Sequence, residues 1–321
     1  MIVNKRSEIL FCYDVTDANP NGDPADENRP RIDEETKINI VTDVRLKRTI
    51  RDYLFAYKGY NGTNGKDIFV RELDSTKGGI QDAKERARDF KEDPKKILEQ
   101  CIDIRLFGGV IPLENKKKKN KSGALISEES EEESENRSNS ITFTGPVQFK
   151  MGRSLNRVEV KYIKGTGAFA SEAGEGHATF REEYILPYSF ITFYGVVNEV
   201  AAQHTNLTDD DILELIDAMW NGTKNLISRS KFGQMPRFLL KIDYNEKGYF
   251  IGDLDRKLKI KDYINETAIR GLSDFTLDIS DLIDDLEKNS SKISAVYYII
   301  DNNLRLSRAI PQNWIKFPNF G

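Results

Sequence analysis

The chain has 321 residues, 31% charged and 38% hydrophobic, with a formal net charge of −4. That length can bury a substantial core, while the polar composition points to solvated excursions from a compact centre. A slightly acidic balance argues mildly against a generic nucleic-acid binder, so any such role rests on where Lys and Arg are placed. No stretch reaches the roughly 20 apolar residues of a membrane helix, and the apolar run near the start is too short for a signal peptide. Cys12 and Cys101 lie outside any metal-ligand spacing and read as buried thiols, so a soluble, cytoplasmic setting is expected.

Residues 7–15 are rich in β-branched and aromatic types with few polar breaks, the pattern of a buried central strand. Thr16 to Glu35 is dense in Asp, Asn, Pro and Gly and predicts a long ordered loop. Thr42-Asp43 offers a helix cap, and Leu46, Ile50, Tyr53, Leu54 and Tyr57 recur at helical spacing, which predicts a helix over 43–57. Arg45, Lys47, Arg48 and Arg51 fall on its other side, and such a basic face ordinarily reads as a solvated helix back. Residues 67–72 read as a short strand, and 82–106 as helical segments interrupted at Pro94. Between 114 and 140 a lysine cluster precedes an acidic run with almost no apolar content, which predicts a disordered insertion.

After it, 141–150 reads as strand, turn, strand, and 152–183 as a projecting hairpin or finger. Ser189 to Val197 is a further strand. Thr208 followed by three acids opens a second helix with Ile212, Leu215, Ile216 and Met219 as its buried stripe, and Arg237 to Tyr244 reads as another strand. The tail from 245 adds a strand around Ala295 to Ile300. The order is α+β and compatible with a ferredoxin-like or RNA-recognition-motif sheet carrying two helices.

Few residues point to catalysis. Asp17 to Asp23 imitates the opening of a calcium loop, but Asn28 stands where that motif needs a bidentate Glu, and prolines interrupt it. Asp14, Asp17, Asp23 and Asp43 qualify as metal ligands by type alone, and isolated acids in such a loop more often cap backbone N–H groups. Neither His177 nor His204 has a partner at suggestive spacing, and no metal or cofactor is expected. Positive charge is better organised: Arg29 and Arg31 close the long loop, the basic helix face follows, Lys150, Arg153 and Arg157 come after Gln148, and Arg229, Lys231 and Arg237 are spaced by Ser230, Gly233 and Gln234. Arg and Lys interleaved with Gly and Ser suit the backbone of a single strand of nucleic acid.

The motifs Asp17-Ala-Asn-Pro-Asn-Gly-Asp-Pro24, Pro30-Arg-Ile-Asp33, Thr42-Asp-Val-Arg-Leu-Lys-Arg48, Asp103-Ile-Arg-Leu-Phe-Gly-Gly109 and Gly145-Pro-Val-Gln-Phe149 occur in that order, followed by Arg181 to Tyr188 and Trp220 to Arg237. Together they resemble the backbone subunit of type I CRISPR Cascade complexes, the "Cas-seven" family of the RAMP superfamily, and among its branches subtype I-B. The resemblance spans about residues 7 to 245. It implies a single elaborated palm over 1–321 built on a modified RNA-recognition fold, with finger-type insertions over 58–140, a thumb hairpin within 156–183, and a C-terminal extension over 245–321 packing on the palm.

It further implies a prokaryotic, non-catalytic subunit that binds CRISPR RNA and stacks head to tail with copies of itself beside other Cascade subunits. Each thumb interrupts the guide, leaving short runs of bases free to pair with target DNA in antiviral defence. Carried onto this chain, RNA contacts fall on Arg29, Arg31, Thr42, Arg45, Lys47 and Arg48, with Gln148, Lys150, Arg153 and Ser154 as a second strip. Phe169 and His177 are the thumb candidates, and Arg229, Lys231 and Gln234 belong to the loop that starts at Ser228. Relatives of type III cut RNA with a loop aspartate, which makes a metal-dependent endoribonuclease using Asp14, Asp17 or Asp23 the alternative. Guide specificity lies in base pairing, so distributed Arg and Lys suit the binding role better than a compact active site. Acidic surfaces on one copy meeting basic ones on the next would account for the near-neutral total charge.

Overall fold

The computed structural model describes residues 1–112, 140–166 and 180–318. Its main elements run in the order β1 (Ser7–Ala18), β2 (Ile38–Val41), α1 (Asp43–Tyr57), β3 (Gly152–Arg157), β4 (Lys161–Thr166), β5 (Phe180–Val197), α2 (Asp209–Lys224), β6 (Gln234–Tyr244), α3 (Ser280–Lys288) and β7 (Ile293–Ile300), with shorter strands and helices between them. The architecture is mixed α+β around one large sheet.

β1 lies at the centre of that sheet. It runs antiparallel to β5 on one side, with Phe11 opposite Phe193, and to β6 on the other, with Leu10 opposite Leu240. β7 continues the sheet beyond β6, and β3 and then β2 continue it beyond β5. β5 is long enough to pair also with β4 near its start and with Val147–Phe149 near its end.

The uninterrupted apolar run in β1 follows from its having both faces covered, since alternate side chains leave a strand on opposite sides. Ile9, Phe11, Tyr13 and Val15 pack with Leu46, Ile50 and Leu54 of α1 and with Leu215, Ile216 and Met219 of α2. Leu10 and Cys12 pack in a second layer with Tyr188, Phe190, Leu254, Phe275 and the α3 residues Leu282 and Ile283. α1 starts at Thr42, whose hydroxyl accepts from the Arg45 N–H at 3.3 Å. α2 starts with a reciprocal capping box between Thr208 and Asp211.

The second layer is locked to the sheet by a buried acid. The fully buried Glu8 carboxylate accepts from the Tyr194 hydroxyl at 2.5 Å, the Tyr244 hydroxyl, and the N–H groups of Ile251 at 3.0 Å and Gly252 at 2.8 Å. A charge in an apolar layer is tolerated only when donors surround it in this way. Beside it Glu199 accepts from Arg6 Nε at 2.5 Å and from the Gly248 N–H at 2.9 Å, so the chain leaving β6 is pinned twice.

Three sequence expectations change. Residues 67–72 form no strand: Asp67 makes a lone bridge to Cys101, and the Phe69 and Val70 N–H groups donate to the Asp103 carboxylate at 2.8 and 3.1 Å. Side chains satisfy the backbone there, so no neighbouring strand is needed. Residues 152–157 belong to the main sheet as β3, paired with β5 and β2, and within the expected hairpin span β4 pairs antiparallel with the start of β5. Two helices were not anticipated, Glu199–Thr205 and α3. The interruption at Pro94 falls as expected, with the proline opening the helix Pro94–Gln100. The insertion expected over 114–140 lies outside the described residues apart from Ser140, which opens the strand Ser140–Thr144.

Glu8→Gln places an NH2 group against backbone donors and removes the charge that holds them. A loss of about 3 kcal/mol in denaturant-unfolding stability is expected, and a loss below about 0.5 kcal/mol, the range of ordinary surface changes, would contradict the locking role.

Candidate nucleic-acid interface

The candidate site is assembled where β1 ends. Asn21 accepts both the N–H and the hydroxyl of Thr42 on its Oδ1, at 2.8 and 2.9 Å, so the long loop after β1 caps the entrance to α1. The loop 228–233 docks on the same end from the other side: the Thr16 N–H donates to the Gly233 carbonyl at 3.0 Å, and the Asn19 N–H to that of Ser230 at 2.9 Å. Gly233 has φ of +111°, and a Cβ there would stand 2.4 Å from the Thr16 carbonyl oxygen, so only glycine permits this close approach.

This docking carries Lys231 inward. Its Nζ donates to the Asn19 carbonyl at 2.6 Å, and it lies within the field of Arg45. Arg45 donates through Nη2 to the Thr49 hydroxyl at 3.1 Å, while its buried Nε has no partner. Both side chains are partly buried, and among the described residues neither forms an ion pair with a carboxylate. Burial, reinforced by Arg45, pulls the Lys231 ammonium down to about 8, and burial lowers Arg45 from its ordinary value as well.

The polar groups around this couple are also incompletely satisfied. Asn19 Oδ1, Arg31 Nε and Gln234 Nε2 are buried without hydrogen-bond partners, and Asn19 and Gln234 are only 2% and 5% exposed. Gln234 stands opposite Val15 at the end of β1, and Arg31 is held by Asp23 at 2.7 Å. Buried donors and acceptors are rarely left open unless something else fills them. Arg31 Nε and Gln234 Nε2 are open donors that, with the two cations, suit an anion with several oxygens, whereas Asn19 Oδ1 is an acceptor open to a donor such as a hydroxyl.

The remaining sequence candidates distribute around or away from this centre. Arg29 lies over the Tyr184 ring at 4.6 Å and ion-pairs with Glu27 at 3.1 Å, opening onto a groove of about 540 Å³ shared with Tyr162. Arg229 bonds Glu183, the neighbour of Tyr184, at 2.6 Å. Thr42 acts as the helix cap. Ser154 is buried, accepting from the Asn39 N–H at 2.9 Å and donating to the Asn156 carbonyl at 2.6 Å. Gln148 bonds the Gly145 carbonyl at 2.9 Å.

The basic back of α1 is not a free cationic strip. Lys47 ion-pairs with Asp43 at 2.9 Å, Arg48 with Asp52 at 2.7 Å and Arg51 with the buried Asp103 at 2.9 Å. Lys150 faces the other layer, ion-paired with Asp253 at 2.5 Å and set over the Tyr194 ring. Arg153 lies beside Asp33 at 3.7 Å, and alternation along β3 places it on the face opposite Ser154. Phe169 and His177 lie outside the described residues. Thus Arg31, Thr42, Arg45, Lys231 and Gln234 come together, Arg29 and Arg229 flank them, and the second strip is divided between two faces. Asn19, Asn21 and Tyr184 were not anticipated as parts of the site; the Asn-Pro-Asn-Gly run was the available signal for the first two.

Two of the candidate acids, Asp14 and Asp23, have structural partners. Asp14 sits 2.9 Å from Arg237 Nε, an ion contact off-angle for a hydrogen bond, and accepts from the Tyr188 hydroxyl at 3.1 Å. Asp23 holds Arg31 and the Ala25 N–H, while Asp17 is exposed at φ of +49°. Among the described residues no three His, Cys, Asp or Glu side chains are grouped to hold a metal ion, and no helix is long and apolar enough to cross a membrane.

The family model for CRISPR-associated protein Cas7 matches residues 5–280. The chain belongs to the Cas7 family. A CRISPR-associated protein Cas7 of Haloferax volcanii is 33% identical over 321 residues, covering 95% of this chain and 90% of that protein. Two solved structures share the fold at 10% and 12% identity. One, a pre-nicking CRISPR RNA-guided surveillance complex, contains a chain that superposes with a TM-score of 0.53 over 97% of this chain and 96% of its own length. A chain of another CRISPR RNA-guided surveillance complex gives 0.51 over 98% and 95%. The matched region of this Cas7 family member includes the Arg45 and Lys231 site.

Because Lys231 is depressed to about 8 from the ordinary lysine value of 10.5, the unfolded chain binds more protons between those values. Folding stability of the free protein is therefore expected to gain from Lys231 as pH rises through that window. Denaturant unfolding of wild type and Lys231→Met across pH 7.5 to about 10.5 checks this; parallel curves would contradict it.

Proposed function

We propose that this Cas7 family member is the non-catalytic, CRISPR RNA-binding backbone subunit of a type I Cascade complex, of the I-B kind, with several copies aligned head to tail along one guide. The observation that carries the reading is the Arg45–Lys231 couple: two partly buried cations that sense each other's charge and, among the described residues, form no ion pair with a carboxylate, beside open polar atoms of Asn19, Arg31 and Gln234. Like charges held together at a cost are relieved by a phosphate of the RNA backbone, which offers oxygens to Arg31 Nε and Gln234 Nε2, while the Asn19 Oδ1 acceptor suits a ribose hydroxyl. Arg29 and Arg229 would extend the track along β5, where their present carboxylate partners give way to further phosphates.

The sheet order β6-β1-β5-β3, with α1 following β1 and α2 preceding β6, supports a ferredoxin-like palm of the RNA-recognition type. In the same reading residues 58–140 are finger insertions, the β4–β5 hairpin within 156–183 is the thumb, and 245–321 is an extension packed on the palm. Copies of the chain, other subunits and target DNA paired to the guide are its partners, and a prokaryotic cytoplasm is its setting. A grip on phosphates that ignores base identity is what a guide-holding subunit needs.

Binding of a short single-stranded RNA, measured at several salt concentrations, tests this. Arg45→Ala and Lys231→Ala are each expected to weaken binding about tenfold, and each lost phosphate contact lowers the salt slope by about 0.7. Lys150→Ala, on the other layer, should leave binding nearly unchanged. Affinity should also fall as pH rises through about 8, where Lys231 loses its proton, and Lys231→Ala should flatten that fall. Full RNA binding by an Arg45→Glu, Lys231→Glu double variant would overturn the reading.

The nuclease alternative is separated by incubating labelled RNA with magnesium or manganese. Intact RNA is expected, and cleavage abolished by Asp14→Ala, Asp17→Ala or Asp23→Ala would make the protein an enzyme.

A further inference from the structure

Phe232 is a large aromatic side chain held in solvent by a rigid loop. It is 68% exposed, although its own backbone is tightly fixed: the Lys231 and Phe232 N–H groups both donate to the Ser228 carbonyl, at 3.1 and 2.8 Å. The loop around it is clamped to β1 through Gly233 and Ser230. Because Lys231 is drawn inward onto Asn19, the next side chain leaves on the outer side. The other arm of the cation couple repeats the arrangement, since Val44, the neighbour of Arg45, is 67% exposed. Each phosphate-seeking side chain thus adjoins an exposed apolar one.

Leaving a phenyl ring in water on a fixed loop gains nothing for folding, because neither burial nor a hydrogen bond rewards it. A nucleotide presents a charged phosphate and, a few ångströms away, an uncharged planar base whose face stacks on aromatic rings regardless of sequence. We infer that Phe232 is a base-stacking residue: it takes the face of the nucleotide whose phosphate lies on Arg45 and Lys231, with Val44 as an apolar margin of the same seat. The inference rests on the RNA-binding reading and extends it from phosphates to bases. Seating a base against Phe232 sets the path of the strand past the loop. A ring face accepts any of the four bases, so this positioning adds no sequence preference.

The test uses the full-length protein and a short single-stranded RNA carrying the fluorescent base aminopurine, moved one position at a time. Stacking quenches the fluorophore at the seated position. Phe232→Ala is expected to relieve that quenching and to weaken binding about tenfold, with the salt slope unchanged because the phosphate contacts persist. Phe232→Trp should keep both the quenching and the affinity. Removing the base at that position should make wild type and Phe232→Ala bind alike.

If Phe232→Ala leaves quenching and affinity intact while Arg45→Ala and Lys231→Ala still weaken binding, the stacking role is overturned and the phosphate reading stands. Loss of self-association in Phe232→Ala with quenching preserved also overturns it and assigns the ring to contact between copies. If the wild-type protein does not bind the RNA, the reading beneath the proposal falls with it.

Discussion

β1 is covered on both faces, and this constraint organises the rest of the molecule. Its odd-numbered side chains pack with α1 and α2 and its even-numbered ones with the α3 layer, so neither face remains for a ligand. Chemistry is displaced to the end of the strand, where the backbone leaves the sheet and two loops meet. The contacts from Thr16 to Gly233 and from Asn19 to Ser230 join those loops. Through them the rigidity of the sheet is transmitted to Arg45, Gln234 and Lys231. A site on loops gains precision when the loops are tied to a strand in this way.

The distribution of charge follows a related logic. Most cations that sequence spacing would place in a binding strip have carboxylate partners within the chain, from Lys47 and Asp43 to Lys150 and Asp253. Exposed pairs of this sort contribute little to stability and exchange readily for other partners. The partly buried couple is different, because among the described residues Arg45 and Lys231 hold only neutral partners, the Thr49 hydroxyl and the Asn19 carbonyl. A protein with net charge −4 can therefore hold local positive charge without a broadly basic surface.

Much of the architecture was legible because its signals were strong and local. The apolar run of β1, the Thr42 cap with the stripe from Leu46 to Leu54, and the Thr208 box with Ile212 to Met219 each combine a start signal with a clear period. The segment 67–72 was misread because its apolar residues resemble a strand while its N–H groups are satisfied by Asp103, over thirty positions away. Glu8 and Asp14 could not be recognised as buried acids from the sequence, since their partners Tyr244 and Arg237 come from β6. For the site, residue type and spacing found Arg45 and Lys231 but could not separate them from Lys47 and Arg51, whose acids lie one helical turn and fifty-two residues away respectively. Pairing is a property of three-dimensional proximity, and composition carries no record of it.

The position of β1 in the chain has a consequence for how the protein is made. Its two hydrogen-bonding neighbours begin at Phe180 and Gln234, so this central strand is synthesised well before either of its partners. At ordinary elongation rates the wait for β5 alone is roughly ten to forty seconds. Throughout that time an unpaired edge carrying Ile9, Leu10, Phe11 and Tyr13 is available to other nascent chains. Self-adhesion is thus the greater hazard during synthesis, when several chains emerge from one transcript, and holding chaperones have a clear substrate in residues 7–18.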